Sequence, residues 1–204
     1  RNWDADDEDP ASLDQGPEGI IFISKENSPN ERDLLVLSNE ISGTVSIFQI
    51  NVDRTVTGEI ALETFDLEGA DLIGEANGIS VFEGGASGLM HIEGTENEFY
   101  FISDRGPNLD ANNHPLAQGE TKVFVFPDYA PKIQKITASE GVITIEETMT
   151  VNRPDATPVT GLPLPVGAGN SGEYALDAND NVLGTDNWGV DTEGLVKDAQ
   201  GFFW

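Results

Sequence analysis

Apolar residues in this chain come in short runs separated by clusters of Gly, Asn, Asp and Pro, and the runs seldom reach the length of a helix. Those at 20–24, 33–38, 44–50, 59–67, 88–92, 98–103, 122–126, 132–137, 141–147, 173–177 and 194–197 are rich in Ile, Val, Phe or Leu and predict strands. No window of eleven or more residues combines apolar positions at i, i+3, i+4 and i+7 with a cap signal, so the pattern predicts no helix and an all-β class. Two segments, 105–121 and 152–172, carry Pro and Gly too densely for regular structure and are expected to be long loops, the places where a β scaffold carries function.

One phrase recurs. Glu18-Gly19-Ile20-Ile21-Phe22-Ile23 leads through a turn to Asp33–Glu40, and Ser87-Gly88-Leu89-Met90-His91-Ile92 leads to Phe99–Arg105. Glu193-Gly194-Leu195-Val196-Lys197 leads to Phe202-Phe203-Trp204, where the sequence stops. A polar residue, a glycine, an aliphatic strand, a tight polar turn and a second strand ending in Ser and an acid or amide describe a hairpin used repeatedly. The expectation is a set of antiparallel blades of a β-propeller. Because the third phrase stops inside an aromatic strand, the chain is expected to be an incomplete piece of a larger protein, with the rest of its parent chain as a partner.

If the phrase is a structural repeat, its polar positions converge at one end of a channel. Glu18, Ser87 and Glu193 precede the glycines, and Asp104 with Arg105 closes the second strand. Gathered carboxylates repel one another and suit a hard cation with oxygen ligands, Ca²⁺ above all. Each acid, taken singly, could equally accept hydrogen bonds from turn amides. Ser103-Asp104-Arg105-Gly106-Pro107 stands out, since its guanidinium is a planar fork that fits phosphate or carboxylate beside a potential metal ligand. His114, before Pro115, reads as an exposed spectator, and His91 as part of a strand. Asp177-Ala178-Asn179-Asp180-Asn181 lacks the Gly and Glu that a calcium loop requires, having Val182 and Trp188 at those places, and reads as a hairpin turn. The glycine-rich stretches match no nucleotide fingerprint, and no Ser-centred nucleophile elbow is present.

Charge narrows the partners. Against 10 Lys and Arg stand 37 Asp and Glu, a net charge of -27, which excludes nucleic acid and anionic membrane surfaces and favours divalent cations. No apolar stretch approaches the roughly 20 residues of a transmembrane helix. Cysteine is absent, so disulfides and thiolate chemistry are excluded. The acidic, lysine-poor composition points to a secreted, periplasmic or cell-surface location.

The segment Gly84–Leu89, followed by Phe99–Pro107, Gly189–Leu195 and Gly201–Trp204, resembles the phytase-like propeller family, also described as having esterase-like activity of phytase, over residues of about 75–204. Gly16–Ile20 with Ser38–Val45 is similar to the closing blade of the choice-of-anchor propellers of bacterial surface proteins. The resemblances imply an acidic stub at 1–16, a closing blade at 17–52 and the first part of a phytase-like domain at 53–204. They also imply Ca²⁺-dependent hydrolysis of a small phosphate ester. In that reading Asp104, Asp191 and Glu193 lie near metal, Arg105 holds the phosphate, and Arg105 and Glu193 take part in catalysis; the repeat position adds Glu18 as a metal ligand and Ser87 as a substrate contact. The alternative is a noncatalytic extracellular binding or assembly module with structural calcium, and the scarcity of Lys and Arg favours either a small or singly charged ester or no catalysis.

Overall fold

The computed structural model describes residues 17–39, 43–50, 62–84, 86–169 and 172–204. The stub at 1–16, the expected division between residues 52 and 53, Glu40, Gly85 and the start of the 59–67 run lie outside the described residues. The described residues form thirteen strands and no helix, so the all-β expectation holds. Most of the expected runs become strands, and in chain order the strands are β1 (Pro17–Ile23), β2 (Asp33–Asn39), β3 (Thr44–Ile50), β4 (Leu62–Leu67), β5 (Leu72–Ala76), β6 (Ile79–Phe82) and β7 (Gly88–His91). They continue as β8 (Glu98–Ile102), β9 (Asn108–Asp110), β10 (Thr121–Phe124), β11 (Lys132–Ser139), β12 (Val142–Thr150) and β13 (Tyr174–Asp177).

Eight strands make one sheet in the order β1-β2-β3-β4-β12-β11-β8-β7. It consists of two four-stranded antiparallel meanders, β1 to β4 and β12-β11-β8-β7, joined by a short parallel pairing of Val142 and Ile143 with Asp66 and Leu67. At the other end β1 packs against β7, so the sheet is barrel-like and nearly closed. The alternation of the strands explains what fills it. On β2, Leu34, Val36 and Ser38 point inward and are buried, as are Val45, Phe65, Leu89, Phe99, Phe101, Ile136, Ala138 and Ile143 from the other strands.

The β1–β7 seam depends on the recurring glycine. A Cβ on Gly19 would lie 2.9 Å from the backbone nitrogen of Leu89, and the same closeness recurs between β7 and the third phrase, where one on Gly88 would lie 2.9 Å from the Cα of Gly194. Strands approach this closely only where no side chain intervenes. Ser38 seals the seam: its buried hydroxyl accepts the Gly19 N–H at 2.9 Å and donates to the Ala86 carbonyl at 2.6 Å.

Two features differ from the expected strands. The 194–197 run is not a regular strand, although Lys197 bridges Phe203, and Val196 and Trp204 exchange backbone hydrogen bonds of 3.0 and 2.8 Å. The third phrase is therefore a small hairpin, and it covers the outer face of β7, β8 and β11 through Leu195 and Phe203 on Met90, Tyr100, Ile102 and Ile133. Conversely, β5–β6 and β9 arise where no strand was expected. β9 pairs with β10, which runs parallel to β13.

Candidate functional site

The Ser103–Pro107 turn follows directly from β8 and separates two clefts. On one side a cleft of about 320 Å³ is lined by Arg105, Glu120, Glu173 and Asp191 with Leu162, Leu164 and Val190. On the other a cleft of about 290 Å³ is lined by Ser103, Asp104, Gly106, Asn108, Phe82 and Tyr129. The turn is fixed by its own sequence. Asp104 Oδ1 accepts the Gly106 N–H at 2.6 Å, the short-range bond that Asp favours in turns. Gly106 has φ +87°, and a Cβ there would collide with the ring of Tyr129.

Behind the turn lies a buried polar network. The Lys132 ammonium pairs with Glu83, whose side chain is 3% exposed. The Tyr129 hydroxyl donates to Glu83 Oε2 at 2.9 Å, and Ser103 Oγ, 2.9 Å from the same phenol oxygen, accepts the Lys132 N–H at 3.0 Å. Burial pushes the Tyr129 phenol well above its ordinary range, and the negative charge of Glu83 adds to the effect. The phenol thus stays a donor and anchors the turn to β11.

Arg105 is closed on its own chain. Its Nη1 and Nη2 donate to Glu173 Oε1 and Oε2 at 2.9 and 3.1 Å, its Nε lies 3.2 Å from Asp191 Oδ2, and the guanidinium sits 5.5 Å from the Phe124 ring centroid. Glu173 immediately precedes β13, and the segment before the third phrase presents Asp191. That segment is held in place by the 152–172 loop. Val190 donates to the Thr160 carbonyl at 2.9 Å, while Asp186 accepts from Arg153, the Thr160 hydroxyl and the Trp188 N–H.

The residues singled out in the sequence do meet, in part. Glu193 carries a raised pKa through burial and then through the negative charges of Asp191, Glu18 and Asp104, with Arg105 acting in the opposite sense. The four acids and Arg105 therefore share one electrostatic neighbourhood at one end of the sheet. Glu18, Ser87 and Glu193 line neither of the two clefts; Ser87 is buried, with its N–H donating to the Ile102 carbonyl at 3.0 Å. A calcium cage requires six to eight oxygens at 2.3–2.6 Å, about as many as three carboxylates with added waters supply. Among the described residues no three His, Asp or Glu side chains gather so as to hold a metal ion. As arranged, the acids do not fit a resident ion, since Asp104 Oδ1 serves the turn and Asp191 Oδ2 faces Arg105.

The remaining candidates are structural. Asp177 Oδ1 accepts the N–H groups of Asn179 and Asn181, both at 2.8 Å, and Leu176 bridges Val182, which makes 177–181 the expected hairpin turn. His91 Nε2 lies 3.0 Å from the Thr95 carbonyl, and its ring packs on Phe99. His114 is no spectator: Nδ1 accepts the Leu116 N–H at 3.1 Å, and Nε2 faces Asp180 Oδ1 at 3.0 Å. Glu173, Glu120, Glu83 and Tyr129 were not marked by the sequence reading. The only signal they offer is general, that a chain so rich in acid must pair each partly buried cation. No helix among the described residues is long and apolar enough to cross a membrane. No protein-family model, curated protein or solved structure matches the chain.

Proposed function

We propose that this chain is a noncatalytic, exported binding module whose ligand face is the cleft beside Arg105, and that it selects ligands carrying positive charge. One observation carries the reading. Three carboxylates, of Glu120, Glu173 and Asp191, line the cleft against a single guanidinium that already serves two of them. An incoming anion would meet a surplus of negative charge and an Arg fork in use, whereas an ammonium or guanidinium group would meet a net negative wall of carboxylates. Leu162, Leu164 and Val190 give the same cleft an aliphatic wall for the carbon stem of such a group.

The two meanders are read here as neighbouring propeller blades, with the third phrase opening another. Support comes from a repeated latch. The phrase-ending Ser38 donates to Ala86, two residues before Gly88, and the phrase-ending Ser103 accepts at its carbonyl from the hydroxyl of Thr192, two residues before Gly194. Equivalent positions bond equivalent positions, as blade repetition requires.

Titration calorimetry with spermidine tests the binding reading. Binding is expected, with Glu120→Gln weakening it about two- to fivefold, the worth of one partly exposed charge contact of about 0.4–1 kcal/mol. Glu146→Gln, which removes the same charge from the exposed face of β12, is expected to leave it unchanged. Equal loss in both variants would reduce the binding to nonspecific attraction by a polyanion. The competing reading, hydrolysis of a phosphate ester, draws on Arg105 lying beside Asp104 at the cleft edge. Turnover of p-nitrophenyl phosphate that appears only with added Ca²⁺ would establish that reading instead.

A further inference from the structure

The resemblance calls for a bound cation at the acidic end of the sheet, yet the described acids do not form a cage for one. The positive charge there is supplied by the chain itself. Arg105 has a side chain only 15% exposed, and Glu173 only 6%. Its fork bonds both oxygens of Glu173 while its Nε faces Asp191, so one guanidinium bridges β13 and the segment leading to the third phrase. Its field also reaches Glu193 and Asp110, favouring their charged forms. A divalent ion bridging two carboxylates from different segments, one of them buried, would do the same work: neutralise them and tie the segments together.

We infer that Arg105 is the built-in cation of this site, covalently tethered in the place that a free divalent ion would take between the two carboxylates. Stability at this end of the molecule is consequently independent of divalent metal, and it becomes metal-dependent when the guanidinium is removed. The inference concerns the Arg105–Glu173–Asp191 triad alone and stands whether or not the adjacent cleft takes a cationic ligand.

Thermal unfolding of three proteins tests it: wild type, Arg105→Gln, and Arg105→Gln combined with Glu173→Gln. Each is stripped with a chelator and measured in CaCl₂ and in NaCl of equal ionic strength. Removing one partner of a buried pair leaves the other uncompensated, so Arg105→Gln is expected to melt on the order of 10 °C lower without metal. Calcium is expected to restore several degrees beyond the NaCl effect in Arg105→Gln, and to give no such excess in wild type. In the double variant the uncompensated buried acid is gone, so both the loss and the calcium excess should largely vanish. A calcium excess in wild type as large as in Arg105→Gln overturns the inference, because the tethered charge would then not be standing in for an ion. So does an Arg105→Gln protein with no calcium excess, or a double variant that keeps it. If Arg105→Gln does not fold without metal, the wild-type arm and refolding of the variant with and without CaCl₂ decide the question.

Discussion

Glu83 is the residue with the most at stake outside the clefts. Its carboxylate is buried, and it holds Lys132 and the Tyr129 hydroxyl on its two oxygens. Glu83→Ala leaves a cation and a phenol without their acceptor, and the expected loss is about 3–5 kcal/mol, the range for breaking a buried pair from one side. Adding Lys132→Met to Glu83→Ala should recover much of it, because the stranded charge goes too. Urea unfolding of the single and double variants reads both values, and a double variant no more stable than the single would mean that the pair is not the source. The residue-scale content of the site was half legible. Ser103-Asp104-Arg105-Gly106-Pro107 announced itself as a charged turn at a strand end, and the structure makes it the wall between two clefts. Its partners were not legible, since Glu173 reaches Arg105 across 68 residues, and Glu83 acts through Tyr129, 46 residues further along the chain. In a chain with so many acids nothing local distinguishes the one that pairs.

At the scale of elements the recurring phrase is the main finding that sequence could supply. β1–β2, β7–β8 and the hairpin ending at Trp204 are the three copies, and hydroxyl latches tie each to the next. Gly19→Ala tests the seam between the first two. The added methyl overpacks the contact with Leu89 and Ser38, with an expected cost of about 1–3 kcal/mol, roughly 3–10 °C in melting temperature. A neutral effect in differential scanning calorimetry would show that β1 and β7 have slack between them.

The third hairpin offers a pH test. Asp198 accepts from the Trp204 indole and from the N–H groups of Phe202 and Gln200, and these bonds hold its carboxyl below the ordinary range, the Trp204 bond first among them. A depressed folded pKa gives stabilisation that is full above the unfolded value and is lost as pH falls through the folded one. Acidification below the usual carboxylate range should therefore release Trp204, seen as a change in tryptophan fluorescence that Asp198→Asn shows already at neutral pH. The missed β5–β6 hairpin had a readable cause. Asn77 and Gly78 take φ of 52° and 78° in a two-residue turn between Ala76 and Ile79, the Asn-Gly signature flanked by apolar residues. β9 had no such signal, since Asn and Asp flank its one apolar residue and pairing with β10 alone makes it a strand.

For the whole molecule, the near closure of the sheet could not be read from the sequence. It rests on two residues of β12 pairing with β4 and on β1 meeting β7, contacts between segments some 70 residues apart in which periodicity carries no information. The net charge was legible and has a consequence for stability. With 37 acids and 10 bases, even complete pairing leaves 27 uncompensated carboxylates at pH 7, so long-range repulsion acts against the compact state. Salt weakens both this repulsion and the ion pairs, and the two effects have opposite signs. The better-buried pairs, Arg105 with Glu173 and Lys132 with Glu83, are poorly screened, while exposed pairs such as Lys25 with Glu26 are worth little at any salt. Relief of repulsion should win. Raising NaCl from 10 to 100 mM shortens the screening length from about 30 Å to about 10 Å, below the span of the sheet, so the melting temperature is expected to climb over that interval and then level off. A melting temperature that falls with added NaCl would place the stability of this protein in its ion pairs instead of in its core.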